Sequence, residues 1–133
     1  MNRFYVPGLA LGGWTVLLWF TRVRNVLADT ALEGWSRTWQ LGISVIFVVV
    51  AVVLIGLSLV KGNPAVRTMA IRVSLGLAAF GSVWWAIRGV NTMFNDHSVA
   101  FKLVHAVLAI GTIAISAWVL NGQRRRLVAA ELV

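Results

Sequence analysis

Two arginines, Arg22 and Arg88, stand 66 residues apart, and each belongs to the same polar ladder. Trp19, Arg22, Asn25 and Asp29 make the first ladder; Trp85, Arg88, Asn91 and Asn95 make the second. Steps of three, three and four place each set on one face of a helix. A guanidinium with an amide one turn away suits an anion. The fork offers paired N–H donors to a phosphate or carboxylate, and the amide adds another. The expected ligand is an anionic group such as a lipid phosphate. Arg22 and Arg88 would grip it, Asn25 and Asn91 would add hydrogen bonds, and Asp29 and Asp96 would orient the guanidinia. A structural alternative competes with this. The same residues could tie helix ends together, Arg22 to Asp96 for example, or the arginines could reach water along their own apolar stems.

His105 is the other residue with chemistry to offer. It could serve a single-histidine haem or contact a quinone, but His97, the second histidine, is only eight residues away near the same end. Two axial ligands at facing depths are not available, so the expectation is a polar histidine bonded to a neighbouring helix. The rest of the sequence argues against catalysis. There is no cysteine, no phosphate-binding glycine loop, no cluster of metal ligands, no nucleophile beside a base and no paired carboxylate within an apolar run. The expectation is no enzyme, no cofactor and no metal.

The elements that must position these residues are membrane spans. Of 133 residues, 59% are hydrophobic and 12% charged, whereas a soluble domain carries about 45–50% and about 25%. The net charge of +8 would suggest nucleic acid in a soluble protein. Here the bases gather at the ends of apolar runs, where topology and anionic headgroups account for them, and no nucleic-acid partner is expected. Only Lys61 and Lys102 among the 12 bases are lysine, a bias that suits a bacterial source. The first apolar run lacks a small-residue cleavage site before Arg22 and matches an internal helix, so it reads as a retained span.

Four spans are expected. The first covers Tyr5 to Phe20 with helix continuing to Ala28, and Pro7 sits in its first turn. Thr30 and Glu33 have capping-box spacing for a second helix, whose span is Leu41 to Val60, twenty residues without a charge. Gly62, Asn63 and Pro64 read as C-cap, N-cap and first-turn residue. The third helix covers Ala65 to Asn95. Asp96 or Ser98 caps the fourth, Val99 to Leu120, which Asn121-Gly122 ends. The basic tail 122–133 follows, with Arg124, Arg125 and Arg126 held at an anionic leaflet.

The ladders extend into a wider repeat. Ala70, Ser74, Ala78, Ser82 and Ala86 form a small-residue row in the third helix, and Ser74 and Ala78 fall 66 residues after Gly8 and Gly12. Trp39, Gln40 and Leu41 match Phe101, Lys102 and Leu103 at an offset of 62, as though the first hairpin held one extra helical turn. The fold expected is therefore all-α and integral to the membrane: four transmembrane helices in a single domain, 1–133. They form two tandem hairpins, 5–61 and 65–121, related by a pseudo-twofold axis along the membrane normal.

Counting bases sets the orientation. One side holds Arg3, Lys61, Arg67, Arg72 and Arg124 to Arg126, seven bases with one acid; the other holds five bases with three acids. The positive-inside rule puts both termini in the cytoplasm of a bacterial inner membrane. The functional expectation is a non-catalytic accessory subunit of a larger membrane complex, respiratory or envelope-building, with lipids and other subunits as partners. The alternative is a small channel or transporter that self-assembles as a homo-oligomer and carries the lipid or anion site at Arg22 and Arg88.

Overall fold

The computed structural model describes residues 4–131. Arg3 and the last two residues of the basic tail lie outside the described residues. The chain is all-helical: α1 (Val6–Ala28), α2 (Gly34–Leu59), α3 (Pro64–Phe94) and α4 (Val99–Glu131). All four are long and apolar enough to cross a membrane. Two compact units, Met1–Val73 and Ser74–Val133, divide the chain within α3.

In the first unit α1 and α2 form a hairpin. The buried side of α1 carries Gly8, Leu11, Gly12, Thr15, Leu18, Trp19 and Val26, the three-and-four spacing of a single helix face. Ser44, Ala51 and Ser58, seven residues apart, are buried along α2 with Leu54. A seven-residue period keeps one face toward a neighbour over several turns. Gly8 and Gly12, four residues apart, allow close packing against α2. A Cβ on Gly8 would collide with Ser58 Oγ, and one on Gly12 would lie 2.7 Å from Ile55 Cγ1 and 3.1 Å from the Ala51 carbonyl oxygen. Lipid tails are as apolar as the side chains they meet, so contact between helices rests on close packing. Tyr5, which is buried, donates its backbone N–H to the Ser58 carbonyl at 3.1 Å and so ties the start of α1 to the end of α2.

The capping-box expectation at Thr30 and Glu33 is not met. Glu33 is the N-cap residue and makes no side-chain cap bond. Gly34 begins α2 with a φ of +58°, a left-handed conformation that glycine adopts without strain, so the helix starts after Glu33 and not at Thr30. At the next junction the sequence reading holds. Gly62 takes a φ of +74°, and Asn63 Oδ1 accepts from the N–H groups of Ala65 and Val66 at 3.0 and 3.2 Å.

In the second unit α3 lies antiparallel to α4. Within this unit the buried residues of α3 are Ser74, Leu77, Ala78, Gly81, Trp85 and Thr92, and Ala70 is buried further back along the helix. The row of small residues expected every four positions leaves this face after Ala78: Ser82 is half-buried and Ala86 exposed. Steps of four advance about 40° each around a helix of ~3.6 residues per turn, so such a row winds off any straight contact. Gly81 and Gly89 continue it instead, with Cβ positions 3.8 Å from Thr112 and 3.5 Å from Ala109. On α4 the buried set among the described residues is Ala109, Thr112, Ser116, Val119 and Gln123. Ser98 Oγ caps α4 through the Phe101 N–H at 3.3 Å.

α4 does not end at Asn121-Gly122. It continues to Glu131, so the second hairpin runs past residue 121. One glycine costs about 1 kcal/mol in a helix. The nine residues Gln123 to Glu131 are Gln, Arg, Leu, Ala, Val and Glu, mostly strong helix formers, and outweigh it.

Candidate functional site

Three members of each ladder, Trp19, Arg22 and Asn25 and Trp85, Arg88 and Asn91, lie near the end of α1 and of α3, while Asp29 and Asn95 are the first residues past the helices. Each ladder starts buried and climbs outward. Trp19 and Trp85 are buried, Arg22 and Arg88 half-buried, and Asn25, Asn91, Asp29 and Asn95 exposed. Their surroundings differ.

In the first unit Trp19 stacks on Phe47, ring centroids 4.2 Å apart and planes 5° apart. Arg22 lies 5.9 Å from the Trp19 ring centre and donates from Nη2 to Gln40 Oε1 at 3.0 Å. Asp29 does not orient a guanidinium. Its Oδ1 accepts the Ala31 N–H at 2.9 Å, a short turn of the kind aspartate makes with its own backbone. Among the described residues neither Asp29 nor Asp96 forms an ion pair with an arginine.

In the second unit Arg88, Asn91, Asn95 and His97 line a cavity of about 410 Å³, with Trp84 and Ile87 at its apolar end. The Arg88 Nε is buried without a hydrogen-bond partner among the described residues. Among the described residues His105 neither lines this cavity nor bonds a neighbouring helix. Its Nδ1 stands 2.9 Å from the Phe101 carbonyl oxygen of its own helix. A carbonyl only accepts, so the proton sits on Nδ1. The ring packs on Phe101 at 4.0 Å and Trp85 at 6.3 Å between centroids.

Sequence reasoning missed Gln40, Trp84 and His97. Gln40 stood out only for its match to Lys102, and Trp84 only as the neighbour of Trp85. His97 could have been found: it follows Asn95 in a short turn after the ladder. Reasoning from local spacing also missed two matched end contacts. Arg37 Nη2 donates to the Leu27 carbonyl at 3.1 Å, and Lys102 Nζ donates to the Met93 carbonyl at 3.1 Å. Comparison with protein-family models, with curated proteins and with solved structures found no match.

Proposed function

We propose that this multi-pass chain is a non-catalytic accessory subunit of a larger assembly in a bacterial inner membrane, with both termini cytoplasmic. The observation that carries this reading is the outer face of α2. Val45, Ile46, Val49, Val52 and Val53 are exposed there, and a Cβ on Gly42 or Gly56 would meet nothing within 4 Å. β-Branched side chains are already confined to few rotamers in a helix, so another helix can pack on them at little further entropy cost. Open glycines let backbones approach. Affinity purification of the tagged full chain in mild detergent tests the reading. Other membrane proteins should co-purify in fixed ratio; recovery of this chain alone would eliminate it.

The hairpins are further read as a tandem duplication about a pseudo-twofold along the membrane normal. Three registers support this. Gly8, Leu11, Gly12, Thr15 and Trp19 of α1 correspond in burial to Ser74, Leu77, Ala78, Gly81 and Trp85, at 66 residues. Ser44, Ala51, Leu54 and Ser58 of α2 correspond to Ala109, Ser116, Val119 and Gln123, at 65. The pairs Arg37–Leu27 and Lys102–Met93 obey both offsets at once. The burial offset for α2 and α4 is thus 65, not the 62 of the Trp39–Phe101 match. The one-residue difference equals the difference between the turns 29–33 and 95–98.

A second reading, a self-assembling channel or transporter with a lipid or anion site at Arg22 and Arg88, is favoured in one respect. The Arg88 ladder opens on a cavity.

A further inference from the structure

We propose that the Arg88 cavity binds the phosphate of an anionic phospholipid, and that the Arg22 ladder does not. The proposal narrows the lipid-site reading to one hairpin and does not depend on the subunit reading.

Arg88 is half-buried, and among the described residues nothing accepts a hydrogen bond from its Nε. A cation so placed favours an anion, and a planar fork favours a tetrahedral oxyanion that takes two bonds. Asn91 and Asn95 present amides one and two turns further along the same face, and His97 adds a ring nitrogen from the turn. No carboxylate lines the cavity; Asp96 is exposed beside it. A metal cation therefore has no counter-charge there.

The C-terminal end of α3 carries partial negative charge, which opposes an anion. Lys102 offsets this, because its ammonium already donates to the Met93 carbonyl in the last turn. The N-terminal end of α4, capped at Ser98, adds partial positive charge nearby.

Shape selects the source of the phosphate. The cavity is polar at the turn, with Asn95 and His97, and apolar at its other end, with Ile87 beside Arg88 and Trp84 one turn before it. Free phosphate would use only the polar end. A phospholipid would use both, with its phosphate at Arg88 and its glycerol and first methylenes against Trp84 and Ile87.

The first hairpin explains why there is one site and not two. Gln40 occupies the position equivalent to His105 on the 65-residue register and accepts from Arg22. His105 does not do the same for Arg88: among the described residues its one hydrogen bond runs from Nδ1 to Phe101, and its ring is packed on Phe101 and Trp85. The Nε groups of the two arginines are alike; what differs is that Arg22 Nη2 has an acceptor on the other helix of its hairpin, whereas Arg88 faces a cavity.

The test uses the purified full chain in neutral detergent. Phosphatidylglycerol, phosphatidylcholine and inorganic phosphate are titrated separately, and binding is read by native mass spectrometry. One phosphatidylglycerol should bind per chain, at least tenfold more tightly than phosphatidylcholine. Arg88→Gln should weaken it tenfold or more, while Arg22→Gln should change it less than twofold. Millimolar inorganic phosphate should not displace the lipid. Should Arg88→Gln fail to fold, His105→Gln carries the test. It keeps the guanidinium but offers it the partner that Arg22 has, and should weaken binding severalfold. Lipid binding indifferent to Arg88→Gln, or to His105→Gln where that variant decides, would overturn the site while leaving a lipid role elsewhere on the chain. Displacement by inorganic phosphate would overturn the lipid as its occupant. Equal loss on Arg22→Gln would overturn the asymmetry.

Discussion

Lys102 caps the end of α3 from the other helix of its hairpin: its Nζ donates to the carbonyl oxygen of Met93 at 3.1 Å. Arg37 does the same for Leu27 at the end of α1. The last carbonyls of a helix have no partner within the helix, and a cation is favoured there. Replacing Lys102 by Met keeps the stem and removes the donor. The loss should be about 0.5–1 kcal/mol, since the contact is exposed. Hydrogen exchange at the carboxyl-terminal turn of α3 should speed up, with Arg37→Met giving the same result at α1.

Glycines separate by position. Gly8→Ala and Gly12→Ala should each destabilise the α1–α2 hairpin by about 1–3 kcal/mol through overpacking, because the added carbon meets Ser58 and Tyr5, or Ile55 and Ala51. Gly13→Ala meets nothing within 4 Å and should be neutral or slightly stabilising. Detergent-denaturation midpoints of the three variants check the contrast.

Trp19 and Phe47 stack in nearly parallel planes. Such pairs contribute about 0.5–1.5 kcal/mol beyond the area they bury. A cycle of Trp19→Leu, Phe47→Leu and the double variant should return a coupling energy of that size. A coupling near zero would mean that the rings merely occupy neighbouring space.

Orientation rests on the count of bases. Arg124, Arg125 and Arg126 supply three of the seven on the side assigned to the cytoplasm. Changing all three to Gln leaves four bases against five, and the positive-inside bias is lost. Reporter fusions at the C-terminus should shift from cytoplasmic signal alone to a mixed or inverted population.

What could be read in advance followed from local chemistry. Apolar length gave the four helices. Gly62, Asn63, Pro64 and Ser98 gave their junctions, because a cap or a turn is settled within a few residues of chain. Gly8 and Gly12 gave the packing of α1, because a missing side chain has one common use between spanning helices. The failures concern pairs across a hairpin. Trp39 and Phe101 resemble each other because both lie near helix ends rich in aromatic residues. Burial depends instead on Ser44 and Ala51 in α2 and on Ala109 and Ser116 in α4, whose small side chains leave little pattern. Asp29 looked like a guanidinium partner because of its charge, but its donor is the nearby backbone of Ala31. The different settings of Arg22 and Arg88 depend on Gln40 and His105, residues far along the chain that no spacing rule connects to either arginine.

The continuity of α4 through Gly122 has a mechanical outcome. At ~1.5 Å per residue, its 33 residues measure about 50 Å. A bilayer with its headgroups is about 40–45 Å thick. The rod is longer than the wall it crosses. Arg124 and Arg125, about 38–39 Å from Val99 at ~1.5 Å per residue, fall at headgroup depth, and only the last turn or two, to Glu131, project past the lipid as a stiff peg.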